Sequence, residues 1–233
     1  MLAQWLDVNK PLLFLEGDRM ITPESRLLEP RYELPPFDPA KLTALDWIGV
    51  DIRKESQRAE RRTDSIQFHM SRHLQETDAF DVLIDDDGAG EAADLVGLRI
   101  DGNDIIVTLV HCKYSSADRP GARVKDLYEL CGQAVRGAKW RHQGLDPLLR
   151  HLDQRAQHSM QRTGISPYEV GTIEDLYRIR RLAPQLRPRL RTVLAQPGLS
   201  ARASTPEHLR LLAGAQSYVH AVARSTFTVY CST

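Results

Sequence analysis

The sequence predicts an α/β fold, a mixed β-sheet of about five strands flanked by helices. Three observations predict it. Apolar, β-branched segments at residues 80–85, 93–100 and 105–114 are joined by connections too short for anything but antiparallel pairing. Segments with apolar residues every three or four positions lie on both sides of that meander. The C-terminal part then reads strand, helix, strand. A chain of 233 residues suits one domain, or two small ones, and 42% apolar with 27% charged residues is ordinary for a globular chain. A disordered, collagen-like or disulfide-stapled chain is excluded.

Residues 1–50 carry Pro11, Pro23, Pro30, Pro35, Pro36 and Pro39, a spacing that breaks helices and favours loops or edge strands. They read as an arm packing on a core formed by residues 51–233, with a short strand at residues 11–15. Residues 63–76 read as a helix with Ile66, Met70 and Leu74 on one face and Thr63 or Asp64 as its cap. FDVLID (80–85) reads as a strand and DDDGAG as a turn given freedom by Gly88 and Gly90. ADLVGLRI and IIVTLVHCKY form a hairpin around the turn at 101–104. The second of these is apolar on both faces and reads as central.

Residues 123–140 are helical in pattern, with Val124, Leu127, Leu130, Cys131 and Ala134 along one stripe. Residues 145–183 read as helices interrupted by a loop near Gly164 to Pro167. RTVLA (191–195) reads as a strand stopped by Pro197-Gly198. The stretch 204–223 reads as a helix capped by Thr205 with Pro206 in its first turn. FTVYC closes the chain as a strand.

Formal net charge is zero, from 31 basic and 31 acidic residues, so no global nucleic-acid footprint exists. The balance conceals a polarity. Residues 1–118 hold 23 acids and 13 bases, and residues 119–233 hold 8 acids and 18 bases. An acidic cluster beside a basic surface suits a metal-dependent enzyme acting on a polyanion; mutual attraction of the two halves explains the same counts. The three cysteines, Cys112, Cys131 and Cys231, form no CxxC pair and fit a reducing, cytoplasmic setting. The first residues include Asp7, Lys10, Glu16 and Asp18 and lack a signal-peptide apolar run. No stretch is apolar enough to span a membrane, so a membrane partner is not expected.

The chemistry concentrates between Glu91 and Lys113. Asp94 stands near the start of one strand, while His111 and Lys113 share a face of the next and Cys112 points away. A lysine in an apolar strand needs an anion: Asp94, Glu91, a phosphate or a metal-bound hydroxide. Asp94 and Glu91 are oxygen ligands suited to a hard divalent cation.

Helix, hairpin strands with an aspartate, then a strand ending in acid-x-Lys resembles the PD-(D/E)xK, restriction-endonuclease-like nuclease superfamily. The matching residues are Glu91-Ala-Ala-Asp94 and His111-Cys112-Lys113, with Gln133 on the following helix. HCKYS, PGARVKDLYELCGQA, LAQPGLS and VYCS look more closely like the nuclease-like part of prokaryotic helicase-linked defence proteins, over roughly residues 46–233. The resemblance implies a restriction-endonuclease-like sheet and metal-dependent cleavage of nucleic acid, expected to be DNA, in phage defence or restriction. It implies Asp94, Glu91 and His111 as metal ligands, Lys113 as stabiliser of nucleophile and developing charge, and Gln133 as a water- or phosphate-orienting group. An acid or amide from the preceding region is also implied, with Glu55 favoured over Glu60 and Gln67. The cofactor the resemblance implies is Mg or Mn. His111 stands where the superfamily has an acid, which admits a softer ion or a domain that has lost catalysis. Ser115, Arg119, Arg123, Arg178, Arg180 and Arg181 are the expected backbone contacts. A helicase-like protein and a second copy of the chain are further candidate partners. The alternative is an inactive module that binds DNA or such a helicase.

Other signals point elsewhere with less force. Gly88 to Ala93 mimics a dinucleotide fingerprint but precedes a strand instead of a helix. Asp85 to Gly88 lacks the remaining ligands of a calcium loop and reads as a solvated turn. His69 and His73 lack an HExxH context. Tyr114 and Trp140 could stack on bases, although core packing is their default.

Overall fold

A computed structural model describes every residue apart from 1, 18, 30–33 and 122. The chain divides into two units, Met1–Pro35 and Pro36–Thr233. The first holds helix α1 (Leu2–Val8) and a small antiparallel sheet of β1 (Leu13–Phe14), β2 (Met20–Ile21) and β3 (Leu27–Leu28). None of its described side chains is buried.

The second unit begins at Pro36, earlier than the proline pattern suggests. Phe37, Leu42 and Trp47 are buried in it, and β4 (Leu42–Ala44) joins its sheet. It continues through α2 (Ile66–Thr77), β5 (Val82–Asp85), β6 (Leu95–Asp101), β7 (Asp104–Cys112), α3 (Lys125–Gly137), α4 (Trp140–Gln143) and α5 (Leu145–Thr163). Then follow β8 (Tyr168–Val170), α6 (Ile173–Leu182), β9 (Arg187–Ser200), α7 (Pro206–Ala223) and β10 (Thr226–Ser232).

Seven strands form one mixed sheet in the order β4-β10-β9-β7-β6-β5-β8. β5, β6 and β7 make the expected antiparallel meander, with Leu95 opposite Val110. β9 runs parallel to β7, β10 parallel to β9, and β4 parallel to β10. The two strands beyond the expected five are short edge strands: β4 in the proline-rich segment and β8 inside the stretch read as helices. With only three residues each, neither offers enough alternation to reveal itself.

β9 also runs through Pro197 instead of stopping before it. β7 pairs with β9 only as far as Ala195, and the register with β10 shifts between Cys231 and Ser232. The missing proline N–H therefore falls where the ladder is already irregular.

Side-chain alternation divides the core into three layers. Leu83, Leu95, Val110 and Cys112 face α2 through Ile66, Met70 and Leu74. Val96, Leu98, Val107 and Leu109 face the opposite way, onto Leu148, Leu149 and Leu152 of α5 and Leu176 of α6. α3 and α7 cover β9 and β10 on that second face, with Leu130, Leu194, Leu212 and Val229 in contact. Each such large side chain, fully enclosed, contributes roughly 1.5–3 kcal/mol.

Helix ends follow local chemistry. Ser65 caps α2, accepting from the Phe68 N–H at 3.2 Å, one residue after the predicted cap. Thr205 caps α7 with Pro206 in its first turn, as the pattern predicts. Among the described residues no helix is long and apolar enough to cross a membrane.

The two halves of the charge pattern meet. Arg191, Arg178, Arg155 and Arg187 from the basic half pair with Asp78, Asp81, Asp86 and Asp104 from the acidic half. Much of the polarity is thus consumed inside the molecule.

Candidate metal centre and cleft

The β5–β6 connection folds its acids inward. Asp85 ends β5 and Asp94 immediately precedes β6. The Asp86 N–H donates to the Asp94 carbonyl at 3.0 Å, closing the loop at its base. Gly88 and Gly90 turn the chain with φ of +122° and +89°. The Gly88 N–H donates to Glu91 Oε2 at 2.8 Å, and the Ala92 N–H to Asp86 Oδ2 at 2.7 Å.

Arg155, reaching across from α5, clamps the loop. Its Nε pairs with the enclosed Asp86 carboxylate, its Nη1 donates to the Ala89 carbonyl at 2.8 Å, and its Nη2 donates to the Asp86 carbonyl at 2.6 Å.

The loop brings together Asp87, Glu91 and Asp94, each offering a carboxylate oxygen within 4.8 Å of the others. This group could hold a metal ion, and an all-oxygen donor set suits a hard cation. The electrostatics fit the same occupant. Burial drives the Asp94 pKa well above its ordinary value, and the charge of Glu91 drives it further. Burial also raises Glu91, with Asp87 adding to it, and raises Asp85 against its hydrogen bonds from Gln57 and Gln67. Asp86 is pushed up to about 6 by burial, opposed by Ala92 and Arg155. A cation among these oxygens would remove the repulsion that now falls on them.

Asp94 is held from two sides. Its Oδ2 accepts the Cys112 N–H at 2.9 Å, across the β6–β7 pair. The Gln67 amide from α2 donates to the Asp94 carbonyl at 3.1 Å and to Asp85 Oδ1 at 2.7 Å. Gln67 therefore positions the acids instead of joining them.

Lys113 follows β7, and its anions are neither Asp94 nor Glu91. Its Nζ lies 3.2 Å from Glu55 and 3.3 Å from Glu129, the latter on α3. Glu55 also accepts the Tyr114 N–H at 3.0 Å, and its charge helps raise Asp94. Glu55 thus touches the ammonium directly and acts on the carboxylate group through its charge. Partial burial pulls the Lys113 pKa down, but Glu55 and then Glu129 outweigh it and hold the ammonium above the ordinary lysine value.

His111 does not join the carboxylate group. It is enclosed against α3, where a Cβ built on Gly137 would lie 3.1 Å from its Nε2. Among the described residues neither ring nitrogen has a hydrogen-bond partner. Burial, aided by Arg136, lowers its pKa to about 3. Strand alternation does put it on the Lys113 face, but that face is covered by a helix at its position. Gln133 lies on α3 between Glu129 and Gly137, and its Oε1 is buried without a partner among the described residues. Glu129, Gln133 and Arg136 follow helical spacing, and Arg136 lowers Glu91 by its charge.

The expected backbone-contact residues scatter. Ser115 is buried; its Oγ accepts the Ala117 N–H at 3.2 Å and lies against Gly198. Arg178 pairs with Asp81 and Asp175, and Arg180 with Asp146 and Asp153. Arg119, Arg123 and Arg181 are exposed. Glu60 is exposed and paired with Arg62.

Sequence reasoning missed Asp87, which reads as a solvated turn, and Glu129, whose four-residue offset from Gln133 was its available signal. It also missed a cleft of about 670 Å³ beside the acids, lined by Asp85–Ala89, the 56–61 loop, the face of α5 bearing Arg155, His158 and Arg162, and residues 163–169. No family model, curated protein or solved structure matches this chain.

Proposed function

We propose that this chain is a metal-dependent nuclease of the restriction-endonuclease-like type, hydrolysing phosphodiester bonds in nucleic acid, with DNA as the substrate and prokaryotic restriction or phage defence as the setting. One observation carries the reading: Asp87, Glu91 and Asp94 converge at the end of the sheet where β7 also delivers Lys113. The order of α2, the β5–β7 meander and α3 supports it, because the resemblance runs helix, hairpin strands with an aspartate, a strand ending ahead of the lysine, then a helix. The three free, buried cysteines accord with a cytoplasmic protein.

Asp94, Glu91 and Asp87 would hold a Mg or Mn ion. When bound, such an ion polarises a phosphoryl oxygen and lowers the pKa of water. The chain's own residues do the rest. Glu55 and Glu129 keep Lys113 charged and aimed, so its ammonium can meet the charge that develops on the phosphate. The Cys112 N–H and Gln67 prevent Asp94 from swinging out. Gln133 carries a buried amide oxygen without a partner among the described residues, which an enclosed water would satisfy.

A second reading rests on His111. The acid usual at that position is absent, and the imidazole is sealed under α3. That favours a module that binds DNA or a helicase-like partner without cutting. Plasmid, linear duplex, single-stranded DNA and RNA incubated with Mg, Mn, Co or Zn separate the two. The nuclease reading expects cleavage that Asp94→Asn and Lys113→Ala each reduce by at least about a hundredfold. Equal inertness of all three proteins with every metal, while DNA still binds, establishes the second reading.

A further inference from the structure

We infer that the cleft beside the acidic loop is the path of a single nucleic-acid strand, gripped by its phosphates through Arg58 and Arg162. This rests on the nuclease reading and names the groove and the form of its substrate.

The cleft carries cations from two elements and acids along its floor; its two other acids, Glu60 and Glu169, are paired with Arg62 and Arg61. Arg155, His158 and Arg162 recur on one face of α5, and Arg58 and Arg61 stand opposite on the 56–61 loop. The floor is the Asp85–Ala89 segment, so the cleft reaches the candidate metal centre through Asp87. The charges are not equivalent. Arg155 is committed to Asp86 and Arg61 to Glu169, at 3.0 Å. Arg58, His158 and Arg162 are exposed and enter no ion pair among the described residues. The uncompensated cations therefore stand on the walls, while the uncompensated acids cluster at the metal centre. A phosphodiester chain needs that distribution: cations along its length and carboxylates only where an ion sits between them and the phosphate.

The backbone of the loop supports the assignment. Arg58 and Arg61 both adopt left-handed conformations, with φ of +53° and +52°. Such conformations are unfavourable for side chains with a Cβ and concentrate at functional sites. Here they lie in the loop that presents both guanidinium groups to the groove.

Size and lining define the ligand. About 670 Å³ is the volume of a pocket that surrounds a small molecule. It admits a short stretch of one strand and cannot enclose a duplex. Among the described residues no Phe, Tyr or Trp lines it, so base stacking, the usual grip on single strands, is not offered by them. Recognition falls to phosphates, which makes it salt-sensitive and indifferent to base identity.

The test measures binding of a fluorescent twelve-nucleotide DNA strand by anisotropy, in Mn and at several salt concentrations. The protein is the full chain carrying Lys113→Ala, a change the nuclease reading expects to block cutting. Adding Arg58→Gln and Arg162→Gln should weaken binding and flatten the dependence of log K on log salt by about 1.4, at roughly 0.7 per phosphate contact for a single strand. Arg202→Gln with Arg210→Gln, the same loss of two charges outside the cleft lining, should leave the slope unaltered. Arg58→Lys with Arg162→Lys should retain most of the binding, which guards against misfolding as the cause. An unchanged slope in the glutamine variant overturns the cleft assignment, as does a mononucleotide binding as tightly as the strand. Wild-type protein is assayed for cleavage in parallel. Cutting with an unchanged slope leaves the nuclease reading standing without the cleft; absence of cutting with every metal removes the nuclease reading itself.

Discussion

Glu55 accepts the backbone N–H of Tyr114 at 3.0 Å and lies 3.2 Å from the ammonium of Lys113. One carboxylate thus ties the loop before α2 to the end of β7. It also adds its charge to the field that raises Asp94. Glu55→Gln keeps the hydrogen bond to Tyr114 and removes the charge. In the nuclease reading it should lower kcat by about tenfold, less than Lys113→Ala, with little change in the midpoint of thermal unfolding. An Ala variant that loses stability while Gln does not would identify the hydrogen bond as the structural part of the contact.

The crowded carboxylates predict how stability responds to pH and to metal. Asp86 titrates near 6 in the folded protein against 3.8 ordinarily, and Asp85, Glu91 and Asp94 shift in the same direction. A raised carboxyl pKa means the folded state holds protons the unfolded chain has released. For Asp86 stability is full below the ordinary value and is lost as pH climbs from 3.8 to about 6; Asp85, Glu91 and Asp94 act in the same direction. Their contribution to the metal-free melting temperature should therefore fall across that window. Mn at a hundred times its Kd should restore about 2.7 kcal/mol at neutral pH. Asp94→Asn should abolish that response in differential scanning calorimetry.

Arg155 should be a positioning residue whose loss is felt at the metal centre. Asp86 is fully enclosed and depends on it for charge compensation. Arg155→Met should cost about 3 kcal/mol in urea unfolding, because a buried carboxylate is left alone. It should also weaken Mn affinity by roughly 10- to 100-fold, the range seen when an outer support of a metal site is removed. Asp86→Asn added to Arg155→Met should recover much of the stability but not the affinity.

His111 should be dispensable for metal binding. Both of its ring nitrogens are buried without partners among the described residues, so an isosteric apolar replacement removes a desolvation cost. His111→Leu should keep the Mn-induced rise in melting temperature. The folded imidazole titrates near 3 against 6.5 ordinarily. The unfolded chain therefore takes up a proton first, and this group costs stability as pH falls from 6.5 toward 3. The variant's advantage over wild type should grow by up to about 1.4 kcal/mol per pH unit below 6.5. Loss of the Mn response in His111→Leu would return the imidazole to the ligand set.

The β5–β7 meander, α2, α3, α7 and the Thr205 cap were legible in the sequence because they rest on local rules: alternation, helical spacing and capping chemistry, each set by neighbours along the chain. The same rules placed Asp94 and Lys113 at neighbouring strand ends. They could not say which acids meet. Asp87 turns inward because Arg155, 68 residues further along, clamps its loop. Lys113 finds Glu129 only because α3 crosses β7, and that crossing also seals His111 against Gly137. Nor could they tell Arg178, held by Asp81, from Arg162, which is open to the cleft. Convergence of side chains and pairing of charges are decided by packing between distant segments, and composition constrains that only in sum.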